Sequence, residues 1–310
     1  MIDYYSLVFY GPWDRVKDRI QGGFDYSSYL AKIRVIFPDC EIIYCSSDSK
    51  GYLEDYSKLF DKVISTERFD PFDKNTEYNH QTPSFVTSKF NRSWLLINSI
   101  EGVKASTGSY ILKSRSDLFL KLDFLKNFDS IALDKGKFIV DCSASHSPLI
   151  PYYWSDMFIS GESKLVKNAF QIDRKKNLDS CGVLQLSPFR YLNIGRFHSS
   201  YVYNEYLVWG SILENSKFIK IPNLQSKLLF SDLISSERVM RGGVVIIPRE
   251  EVFEAHSRFN SKTNIVNSLF NKWYCHNIKH LKWCKYIMFL GVFYKKSFMS
   301  ILKKIWSILR

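Results

Sequence analysis

Residues 110–117 read Tyr-Ile-Leu-Lys-Ser-Arg-Ser-Asp. The apolar start suits a buried strand, and the polar residues then fall at its C-terminal end, outside which open α/β sheets bind ligands. Departure of a diphosphate from an activated donor needs its charge neutralised, by a divalent cation on a carboxylate or by Lys and Arg. On that reading Asp117 ligates Mg²⁺ or Mn²⁺, and Lys113 and Arg115 offset phosphate charge. The same spacing also describes an Asp capping the next turn beside solvated cations.

Other groups with chemical capacity are scattered. Asp156 precedes a short apolar run that ends at Gly161. A carboxylate at such an edge can have a raised pKa and act as general base on an acceptor hydroxyl, or it can simply cap a turn. Glu205, between Tyr203 and Tyr206 on a predicted helix, is the second candidate base, and equally a surface Glu. Asp48 follows the second predicted strand, where α/β proteins hold a base or ribose, though Ser46, Ser47 and Ser49 around it also describe an ordinary turn. Asn91 and Arg92 lie within the helix before the 110–115 strand, a position that suits a site or a plain surface. The six histidines give no His-Glu-x-x-His and no Cys/His ligand spacing, which argues against zinc. No Walker A sequence, Gly-x-Gly-x-x-Gly or Gly-x-Ser-x-Gly elbow is present.

The elements that must position these groups follow from hydrophobic runs and breakers. Residues 4–10 are a strand stopped by Gly11-Pro12. Residues 24–37 place Tyr29, Leu30, Ile33, Val35 and Ile36 near helical spacing, and Pro38 closes that helix. Residues 41–45 are a second strand, 52–60 a helix and 62–65 a third strand. The alternation β-α-β-α-β predicts a parallel sheet with right-handed crossovers. A polar loop (66–83), a helix over about 84–105, the 110–115 strand, a strand at 137–141 and a short apolar segment at 157–160 come next. Residues 163–172 and 203–213 read as helices; beyond Glu214 the signals fade.

With 310 residues, 45% hydrophobic and 16% aromatic, the chain can bury a large core and is not disordered. Its +12 charge is localised: of 43 Lys and Arg, 11 fall in residues 255–310, leaving 32 against all 31 acidic residues in 1–254. The predicted division is therefore a near-neutral domain, 1–254, and a basic extension, 255–310. On a helical wheel Phe298, Ile301, Leu302, Ile305 and Trp306 share one side, and Lys296, Lys303 and Lys304 the other. This basic amphipathic pattern fits an anionic membrane surface, or a helix docked on the protein's own core. Nucleic acid is not the expected partner, because the apolar face would serve nothing against phosphates. No apolar run approaches the ~20 residues of a membrane span. Six cysteines without Cys-x-x-Cys, and an N-terminus lacking a basic region with an apolar core, predict a cytoplasmic, peripheral location.

The order of these segments resembles the WavE lipopolysaccharide-synthesis family, taken to be glycosyltransferases of bacterial surface-polysaccharide gene clusters. The matching pieces are Tyr10-Gly11-Pro12, the run from Ile33 to Ile43, Asp70-Pro71, Asn91-Arg92, the run from Ser99 to Leu118, Ser155-Asp156-Met157-Phe158-Ile159-Ser160-Gly161, and Glu205-Tyr206-Leu207. The resemblance implies a GT-A-like α/β fold with a mainly parallel central sheet flanked by helices. It implies donor contacts at Tyr10, Gly11, Asn91, Arg92, Lys113, Arg115 and Asp117, to which the position of Asp48 after the second strand adds one more, with Arg115-Ser116-Asp117 standing where GT-A enzymes carry Asp-x-Asp. It also implies a nucleotide-sugar donor and a lipid-linked saccharide acceptor in O-antigen, core or capsule synthesis. A polyol-phosphate or phospho-sugar transferase, and a non-catalytic membrane-associated scaffold, are the alternatives.

Overall fold

The computed structural model describes residues 4–47, 57–66, 84–132, 136–142, 157–173, 204–216, 239 and 242–254; within these, side chains are described except for 84–94, 142 and 204–207. Seven strands form one sheet in the order β3-β2-β1-β4-β6-β5-β7. They are β1 (Tyr5–Tyr10), β2 (Glu41–Ser46), β3 (Lys62–Ser65), β4 (Tyr110–Arg115), β5 (Phe138–Cys142), β6 (Phe158–Glu162) and β7 (Val244–Pro248). Every neighbouring pair is parallel except those made by β6, which runs against both β4 and β5. This is the expected α/β architecture, a mainly parallel sheet flanked by helices, with β6 as its reversed strand.

The sheet is covered on both faces. Alternate residues of each strand divide between two cores. Leu7, Phe9, Tyr44 and Leu112 face α1 (Trp13–Gln21), α2 (Tyr26–Ile36), α4 (Leu122–Lys126) and α5 (Phe128–Ile131). Val8, Ile43, Ile111 and Val140 face α3 (Ser84–Ala105), α6 (Ser163–Ala169) and α7 (Asn204–Asn215). Burial on both faces explains why β1 and β2 read as continuous apolar runs and not as alternating patterns. Val8, Ile43 and Ile111 are fully buried, and each contributes roughly 1.5–3 kcal/mol through the apolar surface it removes from water.

Several elements differ from the sequence expectation, α4 and α5 among them, since no element was read between 118 and 136. Residues 13–21, left without an element, form α1, whose Trp13, Val16 and Ile20 sit on the sheet while charged residues take the other side. Strand β7 lies beyond Glu214, where the sequence signals are weak, and pairs in parallel with β5. In α2, Tyr29, Leu30 and Ile33 are buried but Val35 is 80% exposed, so the apolar stripe is narrower than its composition suggested. Of the helix expected over 52–60, the described part is a 3₁₀ turn, Ser57–Leu59.

A buried carboxylate ties the N-terminal edge of the sheet. Glu41 Oε2 accepts hydrogen bonds from Ser6 Oγ (2.6 Å) and from the Thr107 N–H (2.8 Å), and Oε1 meets Lys62 Nζ at 2.6 Å. Ser6 Oγ in turn accepts the Gly108 N–H at 2.8 Å. One carboxylate thus joins β1, β2, β3 and the entry to β4. Burial alone would raise its pKa; the hydrogen bonds from Lys62, Ser6 and Thr107 outweigh that and hold it below the ordinary value.

The segment 255–310 and its expected amphipathic helix lie outside the described residues. Among the described residues no helix is long and apolar enough to cross a membrane.

Candidate functional site

Strand order decides where a ligand can enter. From β1 the chain moves outward to β2 and β3, then returns to place β4 on the other side of β1. The strand order therefore reverses between β1 and β4: β1 leads into α1 on one face and on to β2, and α3 on the other face brings the chain back to β4. Such a switch point leaves a crevice outside the carboxyl ends of the two strands. Those ends are Tyr10-Gly11 and Arg115-Ser116-Asp117, and Tyr10 and Arg115 are register partners.

The loop backbones are fixed by hydrogen bonds. The Gly11 N–H donates to the Cys45 carbonyl (3.2 Å), the Ser116 N–H to the Tyr10 carbonyl (2.9 Å), and Tyr44 Oη to the Gly11 carbonyl (2.8 Å). Gly11 has φ +131°, in the region that favours glycine, and a Cβ there would lie 3.1 Å from Ser116 Oγ. Ser116 is 1% exposed, and among the described residues its hydroxyl has no hydrogen-bond partner.

Asp117 is buried and doubly engaged. Arg115 donates through Nε to Oδ1 (2.8 Å) and through Nη2 to Oδ2 (2.7 Å), a bidentate contact of the strongest kind. Arg15, in the first turn of α1, approaches the same Oδ2 through Nη1 at 3.4 Å. Burial would raise this carboxyl's pKa, but the Arg115 hydrogen bonds and charge, followed by Arg15, hold it below its ordinary value. Among the described residues one carboxylate is thus shared by two guanidinium groups, an arrangement suited to an anion.

Lys113 is fully buried, with Nζ 4.0 Å from the centre of the Tyr10 ring and 5.6 Å from that of Phe170. It packs behind the Tyr10 ring and is not an open contact. Asn91 and Arg92 belong to α3 and Glu205 to α7, but their side chains are outside the described residues. Asp48 and Asp156 also lie outside the described residues. The neighbour of Asp156, Met157, is fixed at the site's edge, where its carbonyl accepts the Arg115 N–H at 3.1 Å.

A divalent cation needs several oxygen ligands with free lone pairs. Both Asp117 oxygens are committed to guanidinium groups. The described residues contain no group of three or more His, Cys, Asp or Glu able to hold a metal. The described residues at Asp117 do not fit a divalent-cation site.

Three features lay beyond sequence reasoning. Arg15 is one; its signal was a basic residue in the turn that follows the first strand and its Gly-Pro stop. The second is the buried pair Arg249 Nε to Asp141 Oδ2 (2.6 Å), while Asp141 Oδ1 accepts the Phe158 N–H at 3.0 Å. This joins the ends of β5 and β7 to the start of β6, on the same sheet edge as the switch point. The third is a cavity of about 420 Å³, lined in part by Arg19, Phe24, Phe119 and Glu254. Arg19 is one helical turn beyond Arg15, and Phe24 and Phe119 stack at 3.8 Å.

No protein-family model matches the chain, and no curated protein does. Among solved structures, 4-diphosphocytidyl-2C-methyl-D-erythritol synthase from Anaerococcus prevotii aligns over 77% of this chain and 98% of its own, at 12% identity and a TM-score of 0.35. A likeness at that level carries no functional argument.

Proposed function

We propose that the protein is a transferase that takes a sugar from a nucleotide-sugar donor. The observation that carries this reading is the meeting of Arg15, Arg115 and Asp117 at the β1/β4 switch point. Two guanidinium groups, partly buried at this position, suit a diphosphate, whose departure is assisted by charge placed where it develops. The donor's nucleotide would lie across the ends of β1 and β2, and its diphosphate against α1 and the β4 end. The cavity beside α1 gives the acceptor a place, with the stacked Phe24 and Phe119 as an apolar wall.

The finer reading is a glycosyltransferase of bacterial surface-polysaccharide synthesis, acting on a lipid-linked saccharide. Its support is the ordered resemblance of residues 5–210 to the WavE family and the basic amphipathic pattern of 255–310, which would hold the enzyme on the inner membrane face. Asp156 and Glu205 remain the proposed acceptor bases.

The test incubates the purified protein with a panel of labelled nucleotide sugars and a bacterial inner-membrane lipid extract. The expected result is label transferred to lipid from one donor, with a matching release of nucleotide, and its loss in Arg15→Ala. Absence of transfer and of donor hydrolysis across the panel would reject the reading.

A further inference from the structure

At the switch point the protein presents donors for an anion without help from a metal. Pro12 caps α1 and offers no side-chain hydrogen bond to the first turn. The leading N–H groups of a helix have no intrahelical acceptor, and the positive end of its dipole favours an anion. A helix end of this kind is common; what singles this one out is a buried hydroxyl beside Gly11, the residue before the cap. Ser116 Oγ is buried, without a partner among the described residues, and lies against Gly11. A buried hydroxyl that makes no hydrogen bond costs stability, and a ligand oxygen would recover that cost. Gly11 makes the space, since any side chain there would press on Ser116 Oγ at 3.1 Å.

Arg15 adds the charge. Its side chain is 42% exposed and sits in the same first turn, oriented by Asp117 Oδ2. A guanidinium has five N–H donors in a planar fork, so the contact with Asp117 and a contact with a phosphate are compatible. Asp117 would then serve not as a metal ligand but as the group that aligns two cations.

We infer that Arg15, the Ser116 hydroxyl and the first turn of α1 form a diphosphate clamp that works without a divalent cation, with Asp117 as the positioning residue. This rests on the transferase reading and specifies how its donor is held. The clamp binds and neutralises the diphosphate; it makes and breaks no bond itself.

The experiment is a calorimetric titration of the full chain with inorganic pyrophosphate and with UDP, GDP, CDP and ADP, in EDTA and again in Mn²⁺. At least one nucleoside diphosphate is expected to bind in EDTA with an affinity within about twofold of that in Mn²⁺. Arg15→Ala is expected to weaken it about tenfold or more, the worth of a charge-assisted hydrogen bond, and Ser116→Ala severalfold. Arg15 is half-exposed, so its variant should fold, and an unchanged melting temperature checks this. Asp117→Asn should weaken donor binding and lower kcat as well, because the two cations it aligns also neutralise the departing diphosphate, and Asp117→Glu should recover part of the loss, a rescue that a purely structural role would not produce. Binding that requires Mn²⁺, or that is indifferent to Arg15→Ala, would overturn the clamp and leave the transferase standing. No binding of any diphosphate in either condition would overturn both.

Discussion

Arg115 grips Asp117 two residues along the chain through two parallel contacts, Nε to Oδ1 at 2.8 Å and Nη2 to Oδ2 at 2.7 Å. The pair turns the end of a buried strand into a rigid, charged platform, and Arg15 completes it from 102 positions away. Removing the carboxylate leaves two guanidinium groups without their shared acceptor. Asp117→Ala should therefore lower donor affinity by about tenfold or more while costing about 1–3 kcal/mol of stability. Titration with donor and urea unfolding of the same variant separate the two effects.

The Asp141–Arg249 pair is more deeply buried, with the Asp141 side chain at 0% and that of Arg249 at 9% exposure. Deleting one partner strands the other charge in the interior. Asp141→Ala or Arg249→Ala should each cost about 3–5 kcal/mol. The double variant should cost clearly less than the sum, and a double-mutant cycle by urea unfolding measures the difference. Additive costs would show that the two groups act independently.

Glu41 predicts the acid limb of stability. Its pKa is held below the ordinary 4.5, so the folded state binds fewer protons than the unfolded state as the pH falls through that region. The stabilisation is complete above the unfolded value, near 4.5, and is lost as pH drops through the lower folded value. Melting temperature recorded from neutral to acid pH should fall less steeply on the acid side in Glu41→Gln than in the wild type. Parallel acid limbs would remove Glu41 from the account.

Gly102 lets α3 lie against β1 and β2. A Cβ at this position would stand 2.5 Å from Val8 Cγ1 and 3.4 Å from Cys45 Cβ. Gly102→Ala should destabilise the protein by about 1–3 kcal/mol through overpacking. Val8→Ala in the same chain should recover part of that, because it removes the clashing methyl. Thermal unfolding of the three variants gives the comparison.

Much of this architecture was legible because parallel strands buried on both faces leave dense apolar runs. The runs at 4–10, 41–45 and 110–115, each bounded by breakers, placed β1, β2 and β4 within about a residue. Helix α1 was not legible: it is nine residues long, follows a Gly-Pro stop, and only Trp13, Val16 and Ile20 mark its apolar stripe. The site divided in the same way. Arg115 and Asp117 are neighbours in sequence and could be read together. Arg15 belongs with them only because the strand order reverses at β1 and sets β4 beside it, which no local spacing encodes. The Asp141–Arg249 pair spans 108 positions and was hidden for the same reason. Lys113 was visible as a cation, but its place behind Tyr10 follows from strand register.

The most direct measurement is a thermal-shift screen of the wild type and Arg15→Ala against a panel of nucleotide sugars. A ligand that binds the folded state raises the melting temperature by mass action. The account predicts that one donor shifts the wild type, in the presence of EDTA as well as Mn²⁺, and that Arg15→Ala loses the shift. A wild type that no nucleotide sugar stabilises in either condition would contradict it.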